Sequence, residues 1–113
     1  MYDKRLAEFV KSYLSENYIG FMTLMLYGSR AKGTNRADSD HDFYAIFDDS
    51  VENEIQSGRS IHLQLVENLR ESLKENGFSS KVDLQISKQS TFNSLSQDPE
   101  THAFSAKKFN IVV

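Results

Sequence analysis

The sequence predicts an α/β fold on three observations. Helical and strand periodicities alternate along its 113 residues, its apolar runs are strand-length, and 39% hydrophobic with 12% aromatic residues suffices for an ordinary core. A chain of this length has room for one domain, so 1–113 reads as a single unit. Leu6, Phe9, Val10, Tyr13 and Leu14 follow the i, i+3, i+4, i+7, i+8 pattern of an amphipathic helix over 4–16, with Asp3 as its cap. After Gly20 the apolar run 21–27 is too short for a good helix and ends at Gly28-Ser29, which predicts a buried strand entering a tight turn, with a short helix from near Ser29. Residues 41–48 are aromatic and β-rich. Strand periodicity sets Asp40, Asp42, Tyr44 and Ile46 on one side and His41, Phe43, Ala45 and Phe47 on the other.

Ile61, Leu65, Val66, Leu69 and Leu73 then repeat at helical spacing, with Ser60 as a cap and Asn76-Gly77 as a stop. Val82, Leu84 and Ile86 alternate with Lys81, Asp83, Gln85 and Ser87, which predicts a third strand. Asp98-Pro99 reads as the cap and first position of a short helix running to about Lys108, and 110–113 as a closing edge strand.

Composition excludes several functions. Without cysteine there are no disulfides, thiolate nucleophiles or common structural zinc sites, and the cytoplasm is the expected compartment. The longest mostly apolar stretch, Ile19 to Tyr27, is far short of the ~20 residues of a membrane span, and the N-terminus does not resemble a signal peptide. A net charge of −3 gives no footprint for tight binding to nucleic acid. Charge is nevertheless uneven. Residues 28–36 carry Arg30, Lys32 and Arg36 with no acid, whereas 38–49 carry Asp38, Asp40, Asp42, Asp48 and Asp49 with no Lys or Arg. By sign alone this is a solvated turn.

The stretch from Gly28 to Asp42 carries the chemistry. It is not a Walker A loop, which needs Lys after its second Gly where this chain has Thr34, nor a dinucleotide fingerprint, which needs a third Gly. What remains is Gly-Ser after a strand, ten residues, then Asp-x-Asp entering another strand. Gly28 lets backbone approach a ligand without a Cβ. Ser29 offers a hydroxyl and an N–H where a helix begins, a place that favours an anion such as a triphosphate. Arg30 or Lys32 either adds charge-assisted phosphate contacts or is simply solvated. Ser39 fits a phosphate contact or a turn cap equally. Asp40 and Asp42 share a strand face and should converge, which is costly for like charges unless a divalent cation such as Mg²⁺ sits between them. Asp38, Asp48 and Asp49 read as turn and capping residues.

This stretch resembles the nucleotidyltransferase fold of the DNA polymerase β superfamily, most closely its minimal nucleotidyltransferases, and the order of elements fits over essentially the whole chain. The resemblance implies an α/β core with a small mixed, mostly antiparallel sheet flanked by helices. It adds Asp83 as a third carboxylate, so that Asp40, Asp42 and Asp83 form the catalytic and metal-binding set for two Mg²⁺ ions, with Gly28, Ser29, Arg30 and Ser39 on the nucleotide. The reaction implied moves a nucleoside monophosphate from an NTP, ATP being the first candidate, to a hydroxyl. Similar proteins work beside a small helical HEPN-type protein, as antitoxins that modify a tyrosine of the toxin. The alternative is a non-catalytic antitoxin or binding module on the same scaffold. His41 departs from the family, which more often has an apolar residue there; its parity predicts a satisfied, partly buried histidine. His62 and His102 stand alone on predicted helices without an expected ligand role. Tyr44 falls on the site face, as a core residue or a base-stacking one.

Overall fold

The computed structural model describes residues 2–113. Strands β1 (Phe21–Tyr27), β2 (His41–Phe47), β3 (Val82–Lys88) and β4 (Ile111–Val112) form one sheet in the order β3-β2-β1-β4. β1 runs antiparallel to β2 and β4, while β2 and β3 are parallel, so the sheet is mixed and mostly antiparallel, as expected. The parallel pair needs a long crossover. It is supplied by α3 (Ser60–Glu75), preceded by a 3₁₀ turn at Asn53–Ile55 that the sequence reading did not anticipate.

The alternation of side chains sorts the sheet into two faces. On one, Leu24, Leu26, Phe43, Ala45, Phe47, Val82, Leu84 and Ile86 pack against Leu6, Val10 and Leu14 of α1 (Lys4–Asn17) and Leu65, Leu69 and Leu73 of α3. Full burial of such a side chain stabilises by about 1.5–3 kcal/mol, so this layer dominates the fold. On the other face, Met25, Tyr27, Tyr44 and Ile46 meet Phe92 of α4 (Gln89–Leu95) and Ala103 and Ala106 of α5 (His102–Lys108). Tyr44 is therefore a core residue, its hydroxyl bonded to Ser87 Oγ.

The helix termini refine the expectations. Asp3 caps α1 by accepting from the Leu6 N–H at 3.2 Å. Asn76-Gly77 ends α3, with Gly77 at φ 83° and the Phe78 N–H returning to the Leu73 carbonyl. Ser60 is not the cap of α3 but its first residue, because its N–H and hydroxyl both turn back to Glu54. α4 was missed: only Phe92 of its seven residues is buried, too sparse for a period. α5 starts later than expected. Asp98 accepts the Glu100 N–H in a turn of its own, and Thr101 caps the helix by accepting from the Phe104 N–H.

β3 is an edge strand whose outward backbone groups are taken up locally. The Val82 carbonyl accepts from Arg70 Nη2 (3.2 Å), the Leu84 carbonyl from His62 Nε2 (2.7 Å), and the Ile86 N–H donates to Ser57 Oγ (2.8 Å). The Ile86 carbonyl accepts from the Ser57 N–H, and the Lys88 N–H donates to Gln56. His62 is held at its other nitrogen by the Gly58 N–H (3.0 Å), so its role is structural, as expected. No helix among the described residues is long and apolar enough to cross a membrane.

Candidate active site

The end of β1 and the beginnings of β2 and β3 lie side by side, and their register builds the site. Tyr27 is opposite Asp42, and Asp42 is opposite Asp83, so three side chains form a row on the α4/α5 face. Burial raises the Asp42 carboxyl above its ordinary value, Asp83 and then Asp40 push it further, and His102 pulls the other way. The same carboxylates, after burial, raise the Tyr27 hydroxyl, which lies 3.0 Å from His102 Nδ1. The row is electrostatically frustrated in the way a cation relieves.

The turn after β1 makes room for it. Gly28, at φ 74°, opens the short helix α2 (Gly28–Lys32), and a Cβ there would fall on Asp42 Oδ2. Glycine is thus required twice over, by its dihedral and by the carboxylate beside it. Within the chain, the approach it permits is that of Asp42. Ser29 follows in the half-buried turn, its carbonyl accepting the Gly33 and Thr34 N–H groups.

Arg30 organises the approach to Asp40. Its Nε and Nη2 donate to the Ser39 carbonyl at 3.0 and 2.8 Å, and Nη2 also to the Ala37 carbonyl at 3.1 Å. Ser39 Oγ accepts from the Arg36 N–H at 2.9 Å, the turn-capping alternative of its two expected roles. Behind them, His41 is 1% exposed and stacks on Phe43. Its Nε2 accepts from the Asp3 N–H, so the neutral ring carries its proton on Nδ1, which is buried without a partner. This corrects the expectation of a partly buried, satisfied histidine. Burial, with Arg30 adding to it, lowers its pKa to about 4.

Asp40 itself is exposed, at the margin of the row. Among the described residues no three carboxylate or imidazole groups gather tightly enough to hold an ion, so the expected convergence is only partly formed: Asp42 and Asp83 are adjacent and Asp40 acts on Asp42 from the loop. The donor set nevertheless fits a divalent cation. It offers hard carboxylate oxygens, repulsion among them, and a glycine clearing the space beside Asp42. A cavity of about 770 Å³ touches Asp40 but neither Asp42 nor Asp83.

The profile of the family described as "Polymerase beta, Nucleotidyltransferase" matches residues 8–99. The chain belongs to that family. Solved structures share the fold of this nucleotidyltransferase: a Sulfolobus solfataricus protein described as a candidate nucleotidyltransferase (TM-score 0.54, 20% identity, 80% of this chain and 70% of that one) and a mutant of the toxin–antitoxin complex MntA-HpeT (0.52, 17%, 95% and 70%). A third is a toxin–antitoxin structure with AMP-PNP (0.50, 20%, 80% and 66%). This chain spans about two thirds of the length of each. No curated protein matches the sequence.

Two residues of this candidate site escaped the sequence reading. Tyr27 had a usable signal, since it closes the strand before Gly28 on the parity that faces Asp42. His102 had none. It comes from α5, sixty residues beyond the Asp-x-Asp stretch, and only the docking of α5 under β1 brings it to Tyr27.

Proposed function

We propose that this chain moves a nucleoside monophosphate from an NTP, ATP in the first instance, to a hydroxyl of a protein partner, releasing pyrophosphate. The observation that supports it most is the row of Tyr27, Asp42 and Asp83, with Gly28 clearing the space beside Asp42. Asp40, Asp42 and Asp83 would hold two Mg²⁺ ions, which when bound neutralise the triphosphate and polarise the phosphorus under attack. Gly28 and Ser29 receive the nucleotide at the turn. Arg30, engaged with the Ala37 and Ser39 carbonyls, serves the nucleotide by fixing the loop that delivers Asp40. Asp83, on the edge strand, faces the acceptor and takes the proton of its hydroxyl as the new P–O bond forms and the bond to pyrophosphate breaks in line. The partner is a small helical protein of HEPN type and the acceptor a tyrosine of it, in the cytoplasm, in keeping with the fold shared with toxin–antitoxin structures.

A transfer assay with α-labelled NTPs, Mg²⁺ and lysate of the native host tests this. Label should reach a protein with wild type, and not with Asp40→Ala or after chelation of the metal. A second reading, neutralisation of a partner by contact alone, is favoured by the absence among the described residues of a gathered three-ligand cluster. It requires that Asp40→Ala neutralise the partner as well as wild type and that no nucleotide be transferred.

A further inference from the structure

A cavity of about 770 Å³ opens where the end of α3 meets the entry to β3, beside Asp40. Its floor is apolar, with Leu73, Val82 and the Phe78 ring, and its rim is cationic, with Arg70, Lys74 and Lys81. The Arg5 guanidinium lies 5.2 Å from the centre of the Phe78 ring and adds a fourth positive group. Among the described residues none of these four forms an ion pair with a carboxylate; the ion pair present joins Arg59 and Glu54 elsewhere. Asp40 is the one acid in the lining. In a chain of net charge −3, these four positive groups gather around one apolar pocket with no carboxylate ion-paired to any of them. Arg70 is also fixed at the rim by its bond to the Val82 carbonyl.

We propose that this cavity docks a short acidic segment of the acceptor protein through an aromatic or aliphatic anchor, and so holds the acceptor at the Asp40 end of the carboxylate row, with its hydroxyl free to reach Asp83. The inference rests on the nucleotidyltransferase reading for the word acceptor, but its binding half stands by itself. The volume falls within the range of about 300–1,000 Å³ typical of ligand pockets. Phe78, Leu73 and Val82 offer an anchor side chain the contacts that carry most binding energy, and the cations supply orientation and fast association. A phosphate polymer fits less well. It extends beyond the cavity and would run onto Asp38 and Asp40 of the anionic stretch, whereas a short segment stays within the cationic rim.

The test needs neither nucleotide nor metal. The full chain is titrated with the hexapeptide acetyl-Glu-Glu-Tyr-Leu-Glu-Glu-amide, its counterpart with Lys in place of Glu, and a six-nucleotide RNA, while backbone amide resonances are followed. The acidic peptide should shift Lys74 and residues 78–82 and bind at least tenfold more tightly than either control. The pair Lys74→Glu with Lys81→Glu should weaken it at least tenfold. The milder pair Lys74→Gln with Lys81→Gln, shown to be folded by an unchanged thermal transition, should weaken it at least threefold. Exposed Lys107→Glu with Lys108→Glu, outside the cavity, should leave it unchanged. Absence of shifts at these residues, equal binding of the Lys peptide, or tighter binding of the RNA would overturn the inference. Transfer without peptide binding sinks the docking site alone; peptide binding without transfer sinks the enzymatic reading alone.

Discussion

The face of the sheet under α1 and α3 buries a layer of Leu, Ile, Val, Phe and Ala with His41 among them, whereas the apolar cluster under α4 and α5 has seven members, two of them tyrosines, and that face yields its end to Asp42 and Asp83. Adjacent residues of one strand take opposite sides of this division: His41 and Phe43 point to the apolar layer, Asp42 and Tyr44 to the other. The difference teaches that stability and chemistry are sorted by strand parity. One layer holds the chain together, which lets the other tolerate mutually repelling carboxylates and a glycine at positive φ.

The widest gap between the two layers should appear on truncation. Phe43→Ala, in the apolar layer, should cost about 3–5 kcal/mol in urea unfolding. Its neighbour across the sheet, Tyr44→Phe, loses only the hydrogen bond to Ser87 and should cost about 1 kcal/mol. Equal losses would erase the distinction. Asp42→Asn should reverse the pattern, lowering nucleotide transfer by about 10²–10³-fold while leaving the unfolding midpoint unchanged or raised, because it removes a repelled charge. A marked drop in midpoint would mean that the carboxylate is structural.

Neighbours on opposite faces should also titrate in opposite senses. The fold holds His41 neutral down to a pKa of about 4, while the unfolded chain takes up the proton near 6.5. Stability is therefore lost as pH falls from about 6.5 to 4, by at most about 3 kcal/mol. Asp42 works the other way. Its raised pKa penalises the fold above the ordinary carboxyl value, and acidification relieves that penalty at the low end of the window. Urea midpoints at pH 7, 5.5 and 4.5 should show the decline, and His41→Asn should flatten it. The smallest contrast is between two glycines at positive φ. Gly77→Ala meets open space and should cost about 1–2 kcal/mol, whereas Gly28→Ala should cost more and impair transfer, since its methyl group displaces Asp42. Transfer undiminished in Gly28→Ala would show that Asp42 can move without consequence.

Much of this was legible in the sequence because burial is written as period. β3 alternates in sequence, and α1 and α3 carry full apolar stripes, whereas β2 is buried on both faces and shows itself by its aromatic content; parity set Asp42 and Asp83 on the polar side of their own strands, and the resemblance joined them. The elements that failed to show, α4 and the true start of α5, bury one residue or begin at a cap chosen between two competing turns. At the site, the need for a glycine at 28 was legible, and the fold adds Asp42 as a neighbour that it must clear. Arg30 and Ser39 carry chemistry suited to phosphate, yet their hydrogen bonds are spent on the loop, a partition that depends on the folded path of 34–40. His102 could not be read from local pattern, because a side chain that enters a site by helix docking leaves no spacing in the sequence.

The side chains that occupy the outer rim of β3 bear on the chain's behaviour at high concentration. An open strand is a template on which a second molecule can extend a sheet, and such addition seeds aggregates. With Gln56, Ser57, His62 and Arg70 already bonded to that rim, most of its outward backbone groups are taken before a second molecule arrives. The molecule thus guards this margin against sheet extension with its own side chains.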